Sequence, residues 1–218
     1  FLQNAISFNP LPFLLGQKGA AQCLASQKDG APKFLLIPRD SGKFAGESPK
    51  TVDAPKGFVF HHLNAWEKNE QIIIESIHYP DFPEVGPKED FLTMNFDLIP
   101  AGILSRCKVN LSNHKVTTEK ISNQCCEFPM VNPIMEGLSA RYSWMAVAQK
   151  ESGYAPLQAI KKLDLLNLEQ CIWSAAPHGF VSEPLMVPKP GSQNEDDGWV
   201  LVLVWNGLRA GTDLVILK

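Results

Sequence analysis

Short apolar runs, some alternating with polar residues and some continuous, recur along this chain between clusters of Gly, Pro, Asn, Asp and Ser, which is the pattern of β-strands joined by turns. In the first two-thirds the runs are Lys33 to Ile37, Gly57 to Leu63, Gln71 to Ile77, Ile103 to Val109, Lys115 to Glu119 and Tyr142 to Ala148. Ala159 to Asp164, Glu169 to Trp173, Leu185 to Val187, Gly198 to Trp205 and Thr212 to Leu217 continue the series. The expected fold class is all-β, with about eleven strands. Asp40 to Lys56 and Gly191 to Asp197, rich in Gly, Ser, Pro and charge, read as surface loops, with no sign of a domain boundary. Residues 1–218 are therefore expected to form one domain or a piece of one. No repeat of fixed period is legible, and no apolar run approaches the roughly 20 residues needed to span a bilayer.

Composition narrows the classes of partner. The 44% hydrophobic and 20% charged content is that of an ordinary globular protein, and 218 residues suffice for a sizeable core. A net charge of -3 and a pI near 6.0 give no electrostatic footprint for nucleic acid, so that partner is excluded from the reading. The five cysteines are odd in number and lack the two-residue spacing of zinc sites. They read as buried, reduced structural thiols in a cytosolic setting. The chain does not open on a secretory segment, which points the same way.

Candidate chemistry centres on Phe58-Val59-Phe60-His61-His62-Leu63-Asn64-Ala65-Trp66-Glu67. Neighbouring side chains on a strand point to opposite faces, so the two histidines cannot readily share one metal ion. One is a candidate ligand and the other packs; a hydrogen-bonded core role for the pair is the alternative. Glu127, in Cys125-Cys126-Glu127-Phe128-Pro129, and Glu183, in Val181-Ser182-Glu183-Pro184, are lone acids in apolar strand-end settings beside proline. They are candidates either for steadying a metal-bound histidine or for bracing turns. Trp66 and Glu67 read as belonging to the turn after the strand, and Glu195-Asp196-Asp197-Gly198 as a solvated hairpin turn. Leu11-Pro12-Phe13-Leu14-Leu15 is an apolar run too short to cross a membrane and too irregular for a long helix; core packing or surface contact would each account for it.

Taken in order, Phe8-Asn9-Pro10-Leu11-Pro12-Phe13-Leu14-Leu15-Gly16, the Phe60-His61 segment, the Glu127 segment, Ala176-Pro177-His178-Gly179-Phe180-Val181-Ser182-Glu183-Pro184, Val187-Pro188-Lys189-Pro190-Gly191, Glu195-Asp196-Asp197-Gly198-Trp199 and Asp213-Leu214-Val215-Ile216-Leu217 resemble the carotenoid cleavage oxygenases. That family includes the retinoid isomerohydrolase of the visual cycle, and the wording here is most similar to its bacterial apocarotenoid oxygenases. The resemblance runs nearly end to end. It implies a seven-bladed β-propeller, of which this chain would supply about three to four blades. Eleven strands in blades of four make roughly three, fewer than the about four to eight of a closed propeller, so bare blade faces and poor solubility of the piece are expected.

The resemblance also implies a site. A ferrous ion, Fe(2+), is held in the family by four histidines; the third in chain order directly follows the phenylalanine, which selects His61 over His62. The other three have no counterpart, because His78, His114 and His178 stand in no ligand motif. A site built only of neutral imidazoles brings no negative charge to the ion, so carboxylates are expected behind the ligands. The family motifs assign Glu127 to His61 and Glu183 to the missing fourth histidine. Phe60 would border a substrate tunnel, although strict alternation turns it away from His61 unless the strand bulges. Phe13, Leu14 and Leu15 would form an apolar patch contacting a membrane. The implied activity is cleavage of a conjugated double bond of a lipophilic carotenoid or apocarotenoid by O2 to aldehyde or ketone products. The alternatives are an isomerohydrolase using the same iron and a metal-free binding scaffold. The implied location is cytoplasmic and peripherally membrane-associated.

Overall fold

The computed structural model describes residues 2–27, 30–39, 41–42, 44–83, 95–96, 99–150 and 156–218. They fall into two compact units: the described parts of Phe1–Phe58 with Tyr79–Asn95, and Val59–His78 with Phe96–Lys218.

The first unit holds β1 (Leu2–Gln3), β2 (Ile6–Phe8), helix α1 (Pro10–Leu14), β3 (Leu24–Ser26), β4 (Lys33–Leu36) and β5 (Lys50–Asp53). β1, β4 and β5 form one antiparallel sheet, in which the buried Phe34 and Val52 are cross-strand partners; β2 pairs with β3. α1 starts where Asn9 accepts a hydrogen bond from Leu11 N at 3.3 Å and where proline, which has no N–H to satisfy, occupies the first turn. None of its residues is buried.

The second unit is built of antiparallel four-stranded sheets. The first is β6 (Phe58–Lys68), β7 (Gln71–Tyr79), β8 (Ile103–Asn110) and β9 (Val116–Lys120), in that order; Phe58 and Tyr79 themselves fall in the first unit. The second is β10 (Cys126–Met130), β11 (Tyr142–Ala148), β12 (Leu157–Asp164) and β13 (Gln170–Ser174). In the third, β14 (Gly179–Val181) and β15 (Leu185–Pro188) both pair with β16 (Gly198–Asn206), so that together they act as one edge strand broken at Ser182 to Pro184. β17 (Gly211–Leu217) pairs with the other edge of β16.

One face of the second sheet packs on the third. Trp144, Ala146 and Ile160 meet Val181, Met186, Val200, Val202 and Val204 in one apolar cluster. Met145, Val147, Ala159 and Leu163, on the reverse face of the second sheet, are buried as well. Strand β11 is covered on both sides, which is why Trp144 to Ala148 read as a continuous apolar run with no alternation. The same reverse face holds Lys161, fully buried, whose Nζ donates to Ser122 Oγ at 3.1 Å and Gln124 Oε1 at 3.0 Å. Burial among neutral partners pushes its amine below the ordinary lysine value.

The outward face of the third sheet is apolar and open to solvent. Cross-strand register lines up Leu185, Leu201 and Ile216 in one row, Leu203 and Leu214 in the next, and Phe180 with Trp205 in a third. Leu203 is 52% exposed, Leu214 58% and Ile216 59%, so this is a bare sheet face of the kind the strand count anticipated.

Several expectations need correction. The described residues contain seventeen strands. The eleven expected are present, and β1, β2, β3, β5, β10 and β14 are added; β5 lies inside the stretch read as the loop Asp40 to Lys56, of which Asp40 and Lys43 are outside the described residues. Trp66 and Glu67 belong to β6. The turn falls at Asn69-Glu70, whose φ values of 52° and 56° suit the left-handed two-residue hairpin that matches strand twist. Gly198 opens β16, and Glu195 is more than a solvated turn residue: its carboxylate accepts from Arg141 N and Tyr142 N, at 2.9 and 2.7 Å. Cys171 is exposed, because it lies on the edge strand β13; the other four cysteines are buried and all five are free.

Candidate metal centre

Two strands from neighbouring sheets bring the site together. β6 carries His61 and β10 carries Glu127, and His61 Nδ1 lies 2.6 Å from Glu127 Oε2. A carboxylate accepts and cannot donate, so the pair places the ring proton on Nδ1 and leaves the Nε2 lone pair for another atom. The His61 side chain is 45% exposed while that of Glu127 is 11% exposed, so the acid is set behind the ring and the ring reaches outward.

The backbone of β10 makes this placement possible. Its register with β11 shifts between Glu127 and Met130, and Phe128 sits at φ 53°. A left-handed conformation at a bulky residue is unfavourable by of order 1–3 kcal/mol and is kept only where the surroundings impose it. Here it turns Phe128 N toward Glu127 Oε2, which it reaches at 2.8 Å, so one carboxylate oxygen is shared by a backbone amide and the imidazole. The ring of Phe128 lies 5.2 Å from that of His61, at 50°, and Phe60 lies 6.5 Å away on the adjacent residue, at 34°. Phe60, His61 and His62 are all exposed, on a strand that lies at the edge of its sheet.

His62 goes elsewhere. Its Nδ1 lies 2.6 Å from Ser76 Oγ on β7; although the residue as a whole is exposed, desolvation of the ring edge turned to β7, with a smaller push from His61, holds its pKa below the ordinary histidine value. Glu183, in the break between β14 and β15, is exposed, and its carboxylate has no partner among the described residues; it is not brought to His61. His114 occupies a turn at φ 58°, and the carbonyl of His178 accepts from Gly207 N. Among the described residues no three His, Cys, Asp or Glu side chains converge on a point. One imidazole backed by a carboxylate fits one position of a metal site, and among the described residues no further ligand group gathers around it. Phe13, Leu14 and Leu15 are 46%, 76% and 60% exposed in the first unit. Among the described residues no helix is long and apolar enough to cross a membrane.

Sequence reasoning missed two residues here. Phe128 carries no signal of a left-handed backbone; the following proline shows only that a right-handed helical conformation is disfavoured. Asn64 did carry a signal, an amide in an apolar strand, because a buried amide must find partners. Its side chain is saturated: Nδ2 donates to Met135 O at 3.0 Å and Leu138 O at 2.8 Å, and Oδ1 accepts from Gly137 N and Ala65 N, both at 2.9 Å.

The profile of the retinal pigment epithelial membrane protein family, RPE65, matches residues 1–218. Over 217 residues the chain is 42% identical to apocarotenoid-15,15'-oxygenase of Synechocystis sp., a match covering 100% of this chain and 43% of that protein. Carotenoid cleavage dioxygenase 8, chloroplastic, of Arabidopsis thaliana is 26% identical over 197 residues, covering 79% of this chain and 34% of its own length. The solved structure of cobalt-substituted Synechocystis ACO matches with a TM-score of 0.91 at 41% identity, covering 100% of this chain and 44% of that one. This chain thus spans less than half the length of these relatives. It belongs to the RPE65 or carotenoid cleavage oxygenase family, and its sheets are part of that family's seven-bladed β-propeller.

Proposed function

We propose that the whole protein is a non-haem Fe(2+) oxygenase that splits a conjugated carbon-carbon double bond of an apocarotenoid or carotenoid. One O2 and one double bond give two carbonyl products, so atoms balance without a further reductant. The observation that carries the reading is the 2.6 Å contact between His61 Nδ1 and Glu127 Oε2, the orientation expected of an imidazole presenting Nε2 to a metal. Likeness to a named apocarotenoid oxygenase over the full chain supports the substrate class.

In this mechanism bound iron supplies the activation of dioxygen. The protein's own residues position and shield. Glu127 holds the His61 ring and adds a negative charge behind a ligand that has none. Phe60 and Phe128 flank the imidazole with apolar surface suited to a polyene, keeping water from the reacting carbons. Glu183 is proposed to do for a histidine outside this chain what Glu127 does for His61. The exposed Phe13, Leu14 and Leu15 are proposed to rest on the cytoplasmic face of a membrane, where a lipid-soluble substrate is concentrated.

Incubation of the whole, iron-loaded protein with an apocarotenal and product analysis by mass tests the reading. Two carbonyl fragments carrying oxygen are expected. Recovery of an isomerised, uncleaved polyene, or absence of stoichiometric iron after anaerobic purification with ferrous ion, would overturn it. Replacing Phe13, Leu14 and Leu15 together by serine is expected to release the whole protein from liposomes; unchanged co-sedimentation would remove the membrane proposal.

A further inference from the structure

The strand bearing His61 is also joined to the chain that follows the Glu127 strand, and one side chain makes that joint. Asn64 follows His61 by three residues on β6. The segment it holds, Met135 to Leu138, begins five residues beyond Met130, the end of the strand carrying Glu127. A side-chain amide has two donors and an oxygen with two lone pairs; Asn64 uses all four, three of them across to this segment and one on Ala65 N. It is 8% exposed, so water cannot replace a lost partner easily. The segment is shaped for the contact: Gly137 has φ 78°, and a 3-10 turn at Pro133–Met135 is capped by Asn132, whose Oδ1 accepts from Ile134 N at 3.1 Å.

We infer that Asn64 is a positioning residue for the metal centre, holding β6 against the chain leaving β10 so that His61 and Glu127 stay within hydrogen-bond reach. The inference rests on the proposed metal role of His61. The inner contact joins the tips of two side chains from different sheets, whose torsions can turn without moving either backbone. The outer joint has three hydrogen bonds across the same gap. Loss of that joint frees β6 to shift against the segment that follows β10, and the 2.6 Å His61 to Glu127 distance is what such a shift changes. Asn132 is not equivalent: its Nδ2 donates to Glu195 O at 2.7 Å, so it braces the segment to a different loop.

The test uses the whole protein, prepared without metal and titrated with Co(2+), read by its visible absorption. Asn64→Ala is compared with Val202→Ala, a truncation in the core between the second and third sheets that lowers Tm without touching β6. Losing the support behind a metal-bound histidine typically weakens binding or activity about 10- to 100-fold. Asn64→Ala is expected to weaken Co(2+) binding about 10-fold and to alter the absorption bands, as Glu127→Gln does, while Val202→Ala binds as the parent does. Asn64→Ser, which keeps one donor and one acceptor, is expected to fall between Asn64→Ala and the parent, and it carries the test if the alanine variant does not fold. Parent-like affinity and spectrum in the folded Asn64 variants, or equal weakening in Val202→Ala, would overturn the inference. His61→Ala separates the two levels: if it binds Co(2+) as the parent does, the metal role itself fails, whereas loss in His61→Ala beside parent-like Asn64 variants sinks only the role of Asn64.

Discussion

The Glu127 carboxylate is anchored by a backbone amide and an imidazole on the same oxygen, so removing its charge while keeping its shape isolates what the charge does. Glu127→Gln in the whole protein is expected to weaken metal binding or turnover about 10- to 100-fold with little change in Tm, checked by metal titration beside thermal unfolding. An unaltered affinity would leave Glu127 as a turn brace. Lys161 gives a second expectation at this scale. Its folded-state value lies below the ordinary 10.5, so between the two the unfolded chain binds more protons than the native one, and stability rises with pH across that window. Toward neutral pH the ionised amine faces only Ser122 and Gln124, and the stabilisation is lost. Tm of the parent should climb, relative to that of Lys161→Met, as pH rises toward the ordinary lysine value of 10.5; parallel profiles would refute the assignment. His61 and Glu127 were legible mainly through the family resemblance, which selects His61 over His62 and assigns Glu127 to it; the residues alone left a core histidine pair and a turn-bracing acid as alternatives. Lys161 was not, since a lysine on a strand ordinarily reads as a solvated position, and nothing local shows that the Ser122 to Gln124 connection comes to lie over it.

Among the elements, the strands that carry the candidate acids were the hardest to read. β10 and the β14–β15 pair are interrupted at Phe128-Pro129 and Ser182 to Pro184, so neither gives a full period-two run. β1, β2, β3 and β5 are only two to four residues long, too short for periodicity to register. The longer outer strands were legible because alternation or continuous apolarity persists through them. One junction between elements has little tolerance: a Cβ on Gly198, where β16 opens against β15, would lie 2.3 Å from Val187 O and 2.8 Å from Met186 Cε. The carbonyl belongs to the paired strand and cannot move without breaking the ladder. Gly198→Ala is expected to cost about 1–3 kcal/mol, seen as a fall in Tm of roughly 2–10 °C in a thermal melt. A change of less than a degree would mean that β15 shifts freely.

At the level of the molecule, three sheets account for the second unit, and the family's propeller contains more blades than this chain supplies. The outward face of β14 to β17 was foreseeable in kind from the strand count, but its position depends on register, which fixes which residues of Leu201 to Trp205 turn outward. Phe180, Leu185, Leu203, Trp205, Leu214 and Ile216 are already wetted in the folded 218-residue chain. Unfolding therefore hydrates less new hydrocarbon than the length suggests. The heat-capacity increment of this chain should fall below the usual ~12–15 cal/mol/K per residue, and the urea dependence of its unfolding free energy should be correspondingly shallow.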